Sequence, residues 1–172
     1  MLIEGCLRKD PFAFDHFYRK YAGKMFAVCL RFAGNTMEAE DLLQEGFIRV
    51  FENLPFFRRE GSLEGWVRRT FVTTAINHYK RQLKFRNEVE LEDDLMIQAQ
   101  QTDPLSKLSV HELMEMIRRL PLGYRTVFVL FAIEGYTHRE ISSMLGISEN
   151  TSKSQLSRAR ISLQKILLRV RN

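Results

Sequence analysis

Apolar residues recur every three or four positions through almost the whole chain, and the pattern breaks once, at an acidic stretch in the middle. That spacing matches the 3.6-residue turn of a helix and fits no strand. Phe14, Phe17, Tyr18, Tyr21, Met25, Cys29 and Phe32 make one stripe, and Ala39, Leu42, Leu43, Phe47, Val50 and Leu54 make a second. No run alternates with a period of two, no Asn-Gly pair marks a hairpin, and no segment repeats. The expected fold class is all-α, as two small helical domains joined by a flexible acidic linker.

Local signals set the boundaries. Pro11 sits near the first long helix's start, where its missing N–H is harmless, and Gly34-Asn35 ends that helix. Thr36 is placed to cap the second, and Pro55 stops it. After the loop FFRREG, Ser62 can cap a third long helix running through Trp66 to about Phe85, with Glu64 in its first turn. Glu88, Glu90, Glu92, Asp93 and Asp94 then follow with no base among them, and QAQQT after that, which reads as a solvated linker. Asp103-Pro104 restarts helix, with segments expected at 105–119, 122–133, 137–145 and 149–170. The domains are therefore expected at 1–86 and 105–172, with 87–104 between them.

The 172 residues carry a net charge of +5, which points to an acidic partner, either nucleic acid or an anionic membrane surface. Cys6 and Cys29 show no CxxC or zinc spacing and sit in apolar surroundings, so they read as packing residues. His16, His78, His111 and His138 are scattered, and no metal site is expected. The N-terminus has no apolar stretch of signal-peptide length, and the longest apolar run, Val127 to Ile133, is too short to span a bilayer. A soluble, cytoplasmic protein is expected.

The C-terminal block carries the sharpest pattern. Thr137-His138-Arg139-Glu140 is a capping box. Ile141, Met144 and Leu145 face a core, Gly146 permits a left-handed turn, Ile147 plugs the corner, and Ser148 caps the next helix. Helix, short glycine turn, helix is the helix-turn-helix pattern. Leu156, Ala159, Leu163, Ile166 and Val170 define the second helix's buried stripe. At about 100° per residue, Thr151, Ser154 and Arg158 lie opposite, flanked by Asn150, Gln155 and Ser157, with Lys153 and Arg160 at the edges. From Lys153 to Arg171 there are six bases and no acid. Any amphipathic helix has a polar face, but this one is basic and rich in side chains that read base edges or hold phosphates.

Residues 57–86 hold eight bases and two acids, interleaved with Phe57, Trp66, Phe71, Tyr79 and Phe85. Rings beside cations suit single-stranded nucleic acid. The plainer alternative makes Trp66 and Phe71 core. In the second helix, Glu38, Asp41 and Glu45 share a face. No second acidic cluster converges on them for metal-assisted hydrolysis, so a solvated or protein-binding face is expected.

The segments AEDLLQEGFIRVFENL, GSLEGWVRRTFVTTAINHYKR and LPLGYRTVFVLFAIEGYTHREISSMLGISENTSKSQLSRARISL, in that order around an acidic linker, resemble the bacterial sigma-70 factors of RNA polymerase, and within them the small extracytoplasmic-function (ECF) group. The resemblance implies a sigma-2-like domain followed by a sigma-4-like domain. It implies that Asp41, Leu42, Gln44, Glu45 and Phe47 dock on the polymerase core at the β′ coiled coil, with the β flap as a further contact. It implies that Phe57, Arg58, Arg59, Trp66, Arg69, Thr73, Asn77, Lys80 and Arg81 engage the −10 element as it melts, the loop from Phe56 to Gly61 capturing a flipped base. It implies that Thr151, Lys153, Ser154, Gln155, Ser157 and Arg158 face the −35 duplex. The implied partners are core polymerase, promoter DNA and an anti-sigma factor, which in similar proteins often holds its target at the inner membrane. No cofactor, small-molecule substrate or catalytic residue is implied. Thr73 and Asn77 stand where the family often has Asn and Asp, Ser152 replaces a common Val with loss of a core contact, and Gln155 replaces a common Arg.

Three functions compete for this pattern: a promoter-recognition subunit, a free-standing helix-turn-helix regulator, and an enzyme acting on nucleic acid. The regulator leaves the AEDLLQE face unexplained. The enzyme lacks a nucleophile–base pair, a phosphate-binding glycine loop and a metal cluster.

Overall fold

A computed structural model describes residues 2–86 and 109–170; the expected linker, 87–104, lies outside them. The described residues are mostly helical, with no strand among them. The chain divides into two compact units, Met1–His78 and Tyr79–Asn172.

The first unit opens with a short helix, α1 (Leu2–Leu7), which the periodicity did not announce. Asp10 caps α2 (Pro11–Phe32), its carboxylate accepting from the Phe12 N–H, and Pro11 takes the first helical position. The cap of α3 (Thr36–Asn53) is Asn35 and not Thr36: the Asn35 side chain accepts from the Glu38 N–H at 2.8 Å. Its start therefore lies one residue earlier than expected. A 3-10 turn, Leu54–Phe56, carries Pro55 and closes α3. Ser62 then caps α4 (Leu63–Arg86), as expected, through the Gly65 N–H at 3.0 Å.

These helices meet in a core of rings. Phe14 lies edge-on to Phe51 at 4.6 Å between centroids, Phe47 edge-on to Phe71 at 5.2 Å, and Phe17 is fully buried between Tyr21 and Phe51. The tightest approach is at Gly46, where a Cβ would lie 2.2 Å from a Phe71 ring carbon. Only a residue without a side chain lets α4 come this close to α3. Lys24 of α2 meets Glu64 of α4 at 2.6 Å, and Glu38 of α3 meets His78 of α4 at 3.1 Å. Cys6 and Cys29 are buried, and burial pushes the Cys29 thiol up to about 12, in keeping with a packing role.

In the second unit Ser109 and Glu112 form a capping box on α5 (Val110–Arg118). The buried Arg125 of α6 (Leu122–Phe128) donates to the Arg118 and Leu120 carbonyls, at 3.0 and 3.3 Å, and so holds the α5–α6 turn. The expected helix 122–133 changes pitch partway: Val129–Ile133 is a π turn, with the Glu134 N–H donating to the Val129 carbonyl. The Thr137–Glu140 capping box opens α7 (His138–Leu145), and Gly146 leaves it at φ 72. The Ser142 hydroxyl then donates to the Ile147 carbonyl and pins the corner. Ser148 accepts from the Thr151 N–H at 2.9 Å and starts α8 (Glu149–Val170).

Gly46→Ala should destabilise the first unit by about 1–3 kcal/mol through overpacking, in spite of alanine's better helix propensity. Urea unfolding followed by circular dichroism measures it; unchanged stability would mean Phe71 can yield.

Candidate nucleic-acid interface

Between α3 and α4 lies an open groove of about 330 Å³, lined by Arg49 and Asn53 from α3 and by Trp66, Arg69, Thr70, Thr73, Thr74 and Asn77 from α4. Helical spacing brings the α4 set together, since 66, 69, 70, 73, 74 and 77 step by three or four. Phe57 packs against the Trp66 ring at 5.1 Å and stiffens one end. The Thr70 hydroxyl donates to the Trp66 carbonyl and the Thr74 hydroxyl to the Thr70 carbonyl, at 3.1 and 2.9 Å. Those two hydroxyls thus turn only acceptor lone pairs to the groove, while Arg49 and Arg69 bring cationic donors. Asn53 donates to the Arg49 carbonyl and stays bound to its own helix. Two guanidinium groups, an aromatic wall and amide edges suit an unpaired nucleotide, with phosphate at the rim and base against the ring.

Beside the groove, Arg59 adopts φ 59, rare for a residue with a side chain, and meets Glu4 of α1 at 3.6 Å. Arg58, Lys80 and Arg81 are exposed, but they do not line the groove.

The outward face of α3 is of another kind. Asp41 and Gln44 are exposed and Glu45 is half-buried. Met37 at 74% and Ile48 at 57% exposure share the Asp41–Gln44 side of the helix. On α8, Lys153, Ser154 and Ser157 are exposed, with Arg160 beside them.

Comparison with known proteins follows this geometry. The family profile described as Sigma-70 region 2 matches residues 17–85, and Sigma-70 region 4 matches residues 111–163. The ECF RNA polymerase sigma factor SigW of Bacillus subtilis is 30% identical over 176 residues, covering 96% of this chain and 94% of the relative. The chain belongs to the sigma-70 family, in its ECF group. SigE of Mycolicibacterium smegmatis is 31% identical over 160 residues, 90% of this chain, which spans 62% of that relative's length. A solved sigma factor, RpoE of Bartonella quintana in complex with the anti-sigma factor NepR, shares the fold at a TM-score of 0.55 and 20% identity, covering 90% of this chain and 96% of that one.

Against the expectations from pattern and resemblance, several side chains of this ECF-group chain lie elsewhere. Leu42 and Phe47 are 2% and 5% exposed, packed in the ring core, so they support the α3 face from beneath and cannot touch a partner directly. Glu38 has left the acidic face: its carboxylate accepts from the Gly34 N–H at 2.7 Å and meets His78. Phe71 and Tyr79 are core, whereas Trp66 is half-buried in the groove wall. On α8 the buried stripe runs Ser152, Leu156, Ala159, Leu163 and Leu167; Ile166 is half-buried, and the Val170 side chain lies outside the described residues. Ser152 sits on the core stripe as expected, and its buried hydroxyl shares a hydrogen bond with His138 Nδ1 at 2.9 Å. Thr151 spends its hydroxyl on Ser148 at 2.8 Å. Gln155 lies against α6 at Gly123, its Oε1 buried without a hydrogen-bond partner among the described residues. Arg158 leans on the Tyr124 hydroxyl at 3.4 Å.

Sequence reasoning missed Arg49 and Asn53, which reach the groove only through tertiary packing. It also missed Met37 and Ile48, which the 3.6-residue period alone would have placed beside Asp41 and Gln44.

Arg69→Ala should weaken single-stranded DNA binding about equally across sequences and lower the salt slope by about one. Trp66, the single tryptophan, gives a fluorescence readout at the same groove. An unchanged slope would place Arg69 away from phosphate.

Proposed function

We propose that the chain directs promoter-specific transcription initiation as an ECF sigma factor, docking core RNA polymerase through the exposed face of α3, holding melted −10 DNA in the α3–α4 groove and reading −35 duplex with α8. The observation that carries this reading is the double use of α3. Asp41 and Gln44 face outward, while Arg49 and Asn53, two to three turns later, enter the groove. A polymerase bound to one side of α3 thereby fixes the position of the strand held on the other.

Residues 1–86 form the sigma-2-like module and 105–172 the sigma-4-like module, joined by 87–104; the two profile matches fall on either side of that segment. Tethering raises the effective concentration of the second DNA contact once the first is made. Modest affinity per module then suffices, and each contact stays releasable. Melting costs a few kcal/mol per base step, which stacking and hydrogen bonds on an extruded base offset.

Gln155 fits this role in its DNA-free position. A buried carboxamide oxygen without a partner costs about 1–3 kcal/mol, so swinging onto an adenine edge would relieve a penalty as well as make a contact. The chain works in the cytoplasm and has no catalytic role of its own, the chemistry belonging to the polymerase. A solved fold neighbour is bound to an anti-sigma factor, and a partner of that kind restrains this chain too.

Asp41→Ala combined with Gln44→Ala should abolish co-elution with sigma-free core polymerase while circular dichroism stays unchanged. Normal co-elution of the double variant would remove α3 as the docking face. Arg158→Ala should weaken −35 duplex binding by about 1–3 kcal/mol if the guanidinium leaves Tyr124 for a base. Equal titration curves for variant and wild type would take Arg158 out of the reader set.

A further inference from the structure

The described residues of the second unit contain a part-buried polar link that the reading above does not use. His138 is the first residue of α7, and its Nδ1 shares a 2.9 Å hydrogen bond with Ser152, whose side chain is fully buried on the core stripe of α8. The other side of the His138 contact is aromatic. Its ring stacks on Phe131 at 4.5 Å between centroids and 21° between planes. Phe131 belongs to the π turn Val129–Ile133, a rare backbone form found mostly at functional positions. Three elements, the π turn, α7 and α8, thus meet at one imidazole.

Such a link has a geometric consequence that apolar packing lacks. A buried hydrogen bond is directional, whereas an aliphatic contact tolerates rotation. Ser152 lies one residue before Lys153 and two before Ser154, so the rotation of α8 about its axis is fixed beside the exposed readers. We propose that His138 is a positioning residue for sequence reading: by holding Ser152 against the stacked Phe131 ring, it sets the rotation of α8 and hence the angle at which Lys153, Ser154 and Ser157 meet the duplex. The inference rests on the reading of α8 as the −35 helix.

The link works with a neutral imidazole. Burial lowers the His138 pKa below its usual value, and Lys153 and Arg160 of α8 lower it further, against Glu149 of α8, which raises it. Along α7 its charged neighbours are Arg139 and Glu140, the latter's carboxylate held on Thr137, and the positive end of the helix dipole also disfavours the imidazolium there. The π turn presents the uncharged Phe131. With the folded-state pKa depressed, the neutral imidazole favours the packed arrangement; that contribution is fully present above about pH 6.5 and is lost as pH falls through the lowered value.

The test uses the full-length chain and a pool of duplexes with a randomised segment, from which bound sequences are recovered at pH about 7.5 and about 5.5. Ser152→Ala and His138→Leu should lower the preference for the best recovered site over random duplex by about tenfold, with non-specific affinity and salt slope unchanged. His138→Asn, which keeps a hydrogen-bonding group near Nδ1, should retain the preference. Wild type should lose selectivity at the lower pH, and His138→Asn should not. If His138→Leu fails to fold, Ser152→Ala carries the same test, since alanine suits a helix interior. Wild-type selectivity in Ser152→Ala, and in His138→Leu where it folds, would overturn the inference alone, as would a pH profile that His138→Asn does not alter. A wild-type chain that selects no duplex would overturn the reading of α8 and the inference with it.

Discussion

The packing of Phe71 against the bare backbone at Gly46 is the contact on which the first unit depends. It sets how near α4 lies to α3, and the groove between those helices is a by-product of that spacing. The surrounding rings, Phe14, Phe17, Phe47 and Phe51, fill the volume that this approach leaves and fix α3 against α2. A looser helix pair would open the groove and part the Arg49 and Arg69 guanidinium groups. The same helix pair also carries the outward α3 face, so on the proposed reading partner docking and strand capture share one frame.

The polar chemistry divides along the same lines. Hydroxyls near the helix axis, Thr70, Thr74 and Thr126, donate to carbonyls one turn back and stabilise no partner. Groups that project further, Arg49, Arg69, Lys153 and Ser157, face solvent or the groove. Phosphate contacts give affinity and register while base edges give sequence. A small set of exposed readers and a larger set of cations is therefore the expected proportion for a protein that meets duplex in one module and single strand in the other.

Much of this was legible in the residue pattern. The Ser62 and Ser148 caps, the Thr137–Glu140 box and the Gly146 turn follow from local chemistry and are where it puts them, and the stripes of α2, α3 and α8 hold in the main, with Tyr18 exposed and Leu167 taking the place expected of Ile166. The departures have physical reasons. Helix α1 has six residues, too few to show a period. Asn35 and Thr36 are both good caps, and only the backbone decides between them. VFVLFAI is apolar on every side, so its phase carries no information and the π turn was invisible. Leu42 and Phe47 belong to the apolar stripe, and a residue packed there cannot also be presented to a partner. Ser152 holds the core position expected of it, on the 152–156–159–163 stripe; its partner, His138, lies fourteen residues away and is brought to it only by the fold.

The central claim is that this chain confers promoter choice on a polymerase that has none. Multiple-round transcription of bacterial genomic fragments by sigma-free core, with and without the purified chain, tests it most directly. The account predicts discrete chain-dependent transcripts whose start sites lie downstream of a common pair of spaced elements. Core that gives the same diffuse background with and without the chain, under conditions where the two co-elute, would contradict it.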